Sequence, residues 1–187
     1  MSVTGILGGR FDPPHVGHLA LARTALVRFR LDRLVVTVVA DAAHKESVAP
    51  AQDRLAMARL TFAGLPALVE LEEHRYTVDA LEARRERDPI FLIGADELEA
   101  FDTWKEPERV LELARLGVAT RPDHHREAES DRIELFELEP HDVSSTEIRG
   151  RAARGEPLDG LVVPAVAAYI AEHGLYSGVD VSPTRLH

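Results

Sequence analysis

The chain has 187 residues, 45% of them hydrophobic and 29% charged, with 32 acidic residues against 22 basic ones and a formal net charge of −10. That balance fits one globular domain with a sizeable core and argues against a protein that coats nucleic acid, while leaving room for a local positive pocket that takes a nucleotide. The absence of cysteine excludes a disulfide framework, a thiolate zinc site and a cysteine nucleophile.

No apolar run approaches the ~20 residues needed to span a bilayer. The start, Met1-Ser2-Val3-Thr4, has no basic segment leading into an apolar one. A cytoplasmic protein with no membrane partner is expected.

An apolar run from Val3 to Leu7 opens the chain and leads into Gly8-Gly9-Arg10-Phe11-Asp12-Pro13-Pro14-His15-Val16-Gly17-His18. A helical pattern follows, expected from about His15 to Arg30, with Leu19, Ala22, Leu26 and Phe29 on one face. Strand, glycine turn and helix start aim backbone N–H groups and the positive end of a helix dipole at one spot, which suits a phosphate. His15 and His18 are three residues apart on the first turn and share a face. They can donate hydrogen bonds to phosphate oxygens and take up charge beside an anion. A metal held by this pair would lack a third ligand nearby. Each part alone has an ordinary reading, a bare turn or a solvated histidine pair; the composite is what is specific.

Leu34 to Ala40 is a nearly continuous β-branched run, as in a strand buried on both faces of a parallel sheet. Strand, helix, strand within some forty residues make a right-handed βαβ unit. The loop after this strand carries His44-Lys45 at the ligand edge of such a sheet. Pro50 to Ala63 reads as a second helix, with Leu55, Ala58, Leu60 and Phe62 as its apolar positions. Ala67 to Leu71 reads as a strand. Thr77 is then an N-cap candidate, with Asp79 in the first turn. The helix it starts runs out into a solvated charge run, Glu82 to Asp88.

Pro89 to Asp96 is a fourth strand ending in Gly94-Ala95-Asp96; its acid suits a ribose hydroxyl or a helix N-terminus equally. Trp104, the one tryptophan, lies in a polar loop; core packing and stacking on a base both suit it. Pro107 fits a first helical turn, Val110 to Leu116 continues that helix, and Gly117 to Thr120 is the next strand. Asp123 to Arg132, with His124-His125, reads as an exposed loop, and Ile133 to Leu138 as a half-buried edge strand. Val143-Ser144-Ser145-Thr146-Glu147-Ile148-Arg149 is a second helix start with hydroxyl caps, and a second anion-site candidate. A last helix follows Pro164 and stops at Gly174.

Gly-Gly-x-Phe-Asp-Pro-x-His-x-Gly-His resembles the signature of the His-x-Gly-His nucleotidyltransferase superfamily, and its nicotinate mononucleotide adenylyltransferase branch in particular. Tyr76-Thr77-x-Asp79-x-Leu81, Gly94-x-Asp96 followed by Trp104 and Pro107-Glu108, and Ser144-Ser145-Thr146-x-Ile148-Arg149 are similar to further motifs of that branch. The likeness covers roughly residues 3 to 176. It implies a single α/β domain over 1–176, a Rossmann-like doubly wound parallel sheet with flanking helices, and a flexible tail over 177–187.

The implied reaction moves AMP from ATP to nicotinate mononucleotide, giving deamido-NAD and pyrophosphate. The resemblance assigns catalysis to His15, His18 and Arg149. It assigns ATP binding to Gly8, Gly9, Phe11, His15, His18, Ser145, Thr146 and Arg149. The acceptor falls to His44, Lys45, Tyr76, Thr77, Gly94, Asp96 and Trp104. Mg²⁺ is expected to ride on the ATP phosphates, with no protein metal ligand and no nucleic-acid partner.

The chain departs from the family pattern at Ala42-Ala43, where two prolines are usual. Lys105 stands where an aromatic often follows the tryptophan, and Arg10 where threonine or serine is usual. Nicotinamide mononucleotide as acceptor is one alternative. Phosphopantetheine adenylyltransferase, which usually has threonine at the first histidine, is another. A nucleotide-binding regulatory module without turnover is a third.

Overall fold

The computed structural model describes residues 2–40, 47–121 and 130–178. Its strands are β1 (Thr4–Gly9), β2 (Arg33–Val39), β3 (Ala67–Glu72), β4 (Ile90–Gly94), β5 (Arg115–Thr120) and β6 (Ile133–Glu137). They form one six-stranded sheet in the order β3-β2-β1-β4-β5-β6, with every neighbouring pair parallel. The helices are α1 (Val16–Arg28), α2 (Ala51–Phe62), α3 (Thr77–Ala83), α4 (Ala95–Glu99), α5 (Pro107–Leu113), α6 (Ser145–Ala153) and α7 (Pro164–Glu172). This is the expected Rossmann-like doubly wound sheet. The strand order reverses between β1 and β4, and in open α/β sheets the crevice beyond the carboxyl ends at that reversal is where ligands bind.

Parallel strands covered on both faces need apolar residues on both faces, and the central runs supply them. Successive residues of a strand point to opposite sides. Leu7, Val36, Val38 and Leu92 therefore pack on one side with Ala22 and Ala25 of α1 and with Ala58 and Phe62 of α2. Ile6, Val35, Phe91 and Ile93 pack on the other with Val78 and Leu81 of α3 and Val110 of α5. A third cluster, including Met57, Ile148, Val162, Val166 and Ile170, joins α2, α6 and α7.

Several expectations shift. Leu60 lies on the exposed side of α2, and Thr61 and Arg54 are buried instead. Tyr76 is the N-cap of α3, and Thr77 is its first helical residue. The helix before β5 stops at Leu113, and Arg115 and Leu116 already belong to the strand, since Arg115 N–H pairs with the carbonyl of Pro89 at 2.9 Å. β4 ends at Gly94, so Asp96 stands in the first turn of α4. The charge run is not simply solvated: the half-buried Arg84 bonds Glu70 at 2.7 Å and Glu72 at 3.0 Å, and Asp88 pairs with Arg115 and Arg132. β6 is an edge strand, as its alternation implied. His124 and His125 lie outside the described residues.

Candidate active site

β1 ends in Gly8-Gly9 at the reversal point, with Gly94 at the end of β4 on the adjacent strand. Phe11 adopts a left-handed backbone (φ 51) and is 2% exposed. Its ring folds back below Gly9, where a Cβ would stand 3.1 Å from it, and meets His18 edge-on at 5.0 Å. Phe11, expected from sequence to bind ATP, therefore stands packed against His18 and Gly9.

His15 caps α1 and His18 ends its first turn, with the two rings stacked at 3.7 Å. Gly17 makes room for this: a Cβ there would lie 3.1 Å from Nδ1 of His15. Nδ1 of His18 accepts the His15 backbone N–H at 3.1 Å. That nitrogen cannot also carry a proton, so neutral His18 is protonated on Nε2. Nδ1 of His15 is buried and has no hydrogen-bond partner among the described residues. Burial holds the His15 pKa down at about 4, with His141 adding repulsion. Burial, then His15, holds His18 well below its ordinary value. Near neutral pH the site thus presents two neutral imidazoles, with Nδ1 of His15 unpartnered among the described residues.

The second anion motif arrives at the same place. Ser144 caps α6 and accepts the Glu147 N–H at 3.1 Å. Ser145 Oγ donates to the Pro13 carbonyl at 2.9 Å. Arg149 donates through Nη1 to the Asp12 carbonyl at 2.8 Å and through Nη2 to Thr146 Oγ1 at 3.2 Å. Motifs separated by 132 and 137 residues in sequence are therefore in direct contact, and Gly8, Gly9, Phe11, His15, His18, Ser145, Thr146 and Arg149 form one constellation.

The acceptor candidates are arranged differently. Trp104 meets Phe91 edge-on at 6.2 Å and Phe101 at 5.3 Å, partly buried in the second core cluster with Tyr76. Phe91 also lies under the glycine turn, 3.2 Å from where a Gly8 Cβ would be, so this aromatic group is continuous with that turn. Lys105 Nζ bonds Asp79 at 2.7 Å and lies 5.2 Å from the centre of the Tyr76 ring. Thr77 opens α3 beside Tyr76. Asp96 is exposed, and it is Glu97 that accepts the Gly94 N–H at 3.1 Å. His44 and Lys45 lie outside the described residues. Among the described residues no group of His, Cys, Asp or Glu is placed to hold a metal ion.

The constellation has relatives. Residues 6–151 match the cytidylyltransferase-like family model. A probable nicotinate-nucleotide adenylyltransferase of Thermus thermophilus is 43% identical over 183 residues, covering 92% of this chain and 98% of the relative. One of Bordetella avium is 38% identical over 194 residues, covering 94% and 98%. The chain belongs to the nicotinate-nucleotide adenylyltransferase family. It is an enzyme, a nucleotidyltransferase. Among solved structures, the Plasmodium falciparum nicotinic acid mononucleotide adenylyltransferase complexed with NaAD has the same fold, with a TM-score of 0.78 at 18% identity over 94% of this chain and 98% of that one.

For a nicotinate-nucleotide adenylyltransferase the surprise lies under the motifs. Asp12, 2% exposed, accepts the N–H groups of Val48 at 2.6 Å and Ala49 at 3.1 Å and the Tyr176 hydroxyl at 2.9 Å. Arg54, 1% exposed, binds the carbonyls of Arg10, Val39, Ala40 and Ala49 at 2.7 to 3.0 Å. Burial lowers its pKa, and the Asp12 charge offsets part of that. The site motifs alone single out neither residue. Arg54 had one readable signal: it shares the buried stripe of α2 with Leu55, Ala58, Thr61 and Phe62, where a charge is out of place.

Proposed function

We propose that the protein transfers the adenylyl group of MgATP to nicotinate mononucleotide, giving deamido-NAD and pyrophosphate. A phosphate oxygen of the mononucleotide attacks the α-phosphorus of ATP in line. One P–O bond forms, the bond to the bridging oxygen of the β-phosphate breaks, and the electron pair leaves with pyrophosphate. A phosphate monoester is already nucleophilic, so the protein's task is to position two polyanions and stabilise charge on the transferred group.

The meeting of α6 with the turn before α1, through Arg149 on Asp12 and Ser145 on Pro13, carries this reading. It supports a triphosphate held at both ends, with the Gly8-Gly9 turn and the histidines at the α-phosphate and Ser145, Thr146 and Arg149 at the outer phosphates. His18 donates from Nε2, and the acceptor is assigned to the side of Tyr76, Thr77, Gly94 and Trp104. The donors around the phosphates are imidazole, hydroxyl, guanidinium and backbone N–H. Such a set suits anions rather than a hard cation, so Mg²⁺ enters as part of its ATP complex.

Incubation with MgATP and each pyridine mononucleotide separately, with pyrophosphate measured, tests the proposal. Release is expected with nicotinate mononucleotide, fastest of the two. Faster release with nicotinamide mononucleotide would reassign the acceptor, and none with either would overturn the reaction.

A further inference from the structure

Asp12 is where both anion motifs and the end of the described chain converge. Its carbonyl receives Arg149 and the next carbonyl, of Pro13, receives Ser145. Its carboxylate receives Val48, Ala49 and, across 164 residues of sequence, the Tyr176 hydroxyl. Tyr176 is 4% exposed and packs in the cluster that holds Ile148 under α6. Burial, then the neighbouring Asp12 charge, pushes its pKa far up, so the hydroxyl remains a donor throughout the working range.

We propose that the Tyr176 hydroxyl is a positioning group for adenylyl transfer: by holding the Asp12 carboxylate it orients the 12–13 backbone that receives Arg149 and Ser145, and so sets the gap between the two anion motifs. The inference rests on the proposed reaction. Its physical basis is that the two carbonyls and the carboxylate belong to one short rigid stretch. Asp12 is fixed on one side by the backbone of Val48-Ala49 and on the other by Tyr176. Losing the hydroxyl leaves a buried carboxylate oxygen one donor short, and the carboxylate turns to recover it. The 12–13 peptide moves with that turn. In-line transfer tolerates little of this, a misplacement of ~1 Å costing on the order of 100-fold in rate.

The decisive comparison is Tyr176→Phe against Tyr176→Leu, with kcat and KM for both substrates measured well below each variant's Tm. Tyr176→Phe keeps the ring in its cluster and removes only the hydroxyl. It is expected to keep a Tm within a few degrees of the parent, to lower kcat about tenfold, and to leave both KM values within about twofold. Tyr176→Leu is expected to lose Tm as well. A wild-type kcat in Tyr176→Phe, or a rate loss that merely tracks Tm across the two variants, would overturn the inference. Should Tyr176→Phe prove too unstable to assay, Asp12→Asn decides by the same split: a fall in kcat at near-constant KM supports it, and an unchanged kcat overturns it. Failure here leaves wild-type turnover intact, whereas failure of the proposed reaction shows as no pyrophosphate release by the wild type with either mononucleotide.

Discussion

Nδ1 of His18 accepts the His15 N–H at 3.1 Å, which leaves the proton of the neutral ring on Nε2. Removing a donor aimed at developing charge costs on the order of 100–1000-fold in rate. His18→Ala is expected to lower kcat by that much with KM for ATP little changed, read by steady-state pyrophosphate release; near-wild-type turnover would remove His18 from catalysis. The same burial has a second effect. Unfolded His15 takes a proton near pH 6.5, whereas in the fold burial defers this to about 4. Between those values the unfolded chain binds more protons, so stability is full above the upper value and falls as pH drops through the window. His18 shifts the same way. The ligand-free Tm should therefore decline from about pH 7 to 5.5, above most carboxylate titration, and His15→Gln should flatten the decline. A flat wild-type profile would contradict the burial of these rings.

At the scale of elements, α6 matters because it delivers Ser145, Thr146 and Arg149 to the turn before α1. Ile148, with no exposed surface, anchors that helix among Met57, Val162, Val166 and Ile170. Its truncation to alanine is expected to cost about 2–5 kcal/mol in urea unfolding, and Ile148→Val about 0.5–1.5. Equal small losses would mean that the helix is held mainly by its polar contacts.

What was legible in the sequence follows the same division. Glycine turns, hydroxyl caps and β-branched runs have local causes, so the motifs, the parallel sheet and the two helix starts could be read in advance. Thr77 misled because tyrosine is an unusual cap, and Leu60 because Arg54 took a place on the buried stripe of α2. Asp12 was visible only as a letter in a motif. Its partners lie 36, 37 and 164 residues away, and no periodicity encodes contacts of that kind.

Across the whole molecule, the last described side chain with a role is Tyr176, while Ser177 and Gly178 are exposed. A chain ending at Gly178 is expected to keep wild-type kcat and a Tm within about 2 °C, a shift below that of a 1 kcal/mol change in a domain of this size. One ending at Gly174 loses Leu175 and Tyr176 and should lose turnover and stability together. Comparison of the two truncations by thermal melt and pyrophosphate release checks both statements; an active Gly174 form would show that the site closes without its final tether.

That tether joins residue 12 to residue 176, across 164 residues of sequence. A ribosome makes the glycine turn and the histidines long before the tyrosine. The nascent chain can pair β1 with β2 early, but β1 waits for β4, and Asp12 waits for a residue still to be synthesised. A chain released from translation before residue 176 therefore carries every named motif without the contact proposed to set the gap between them.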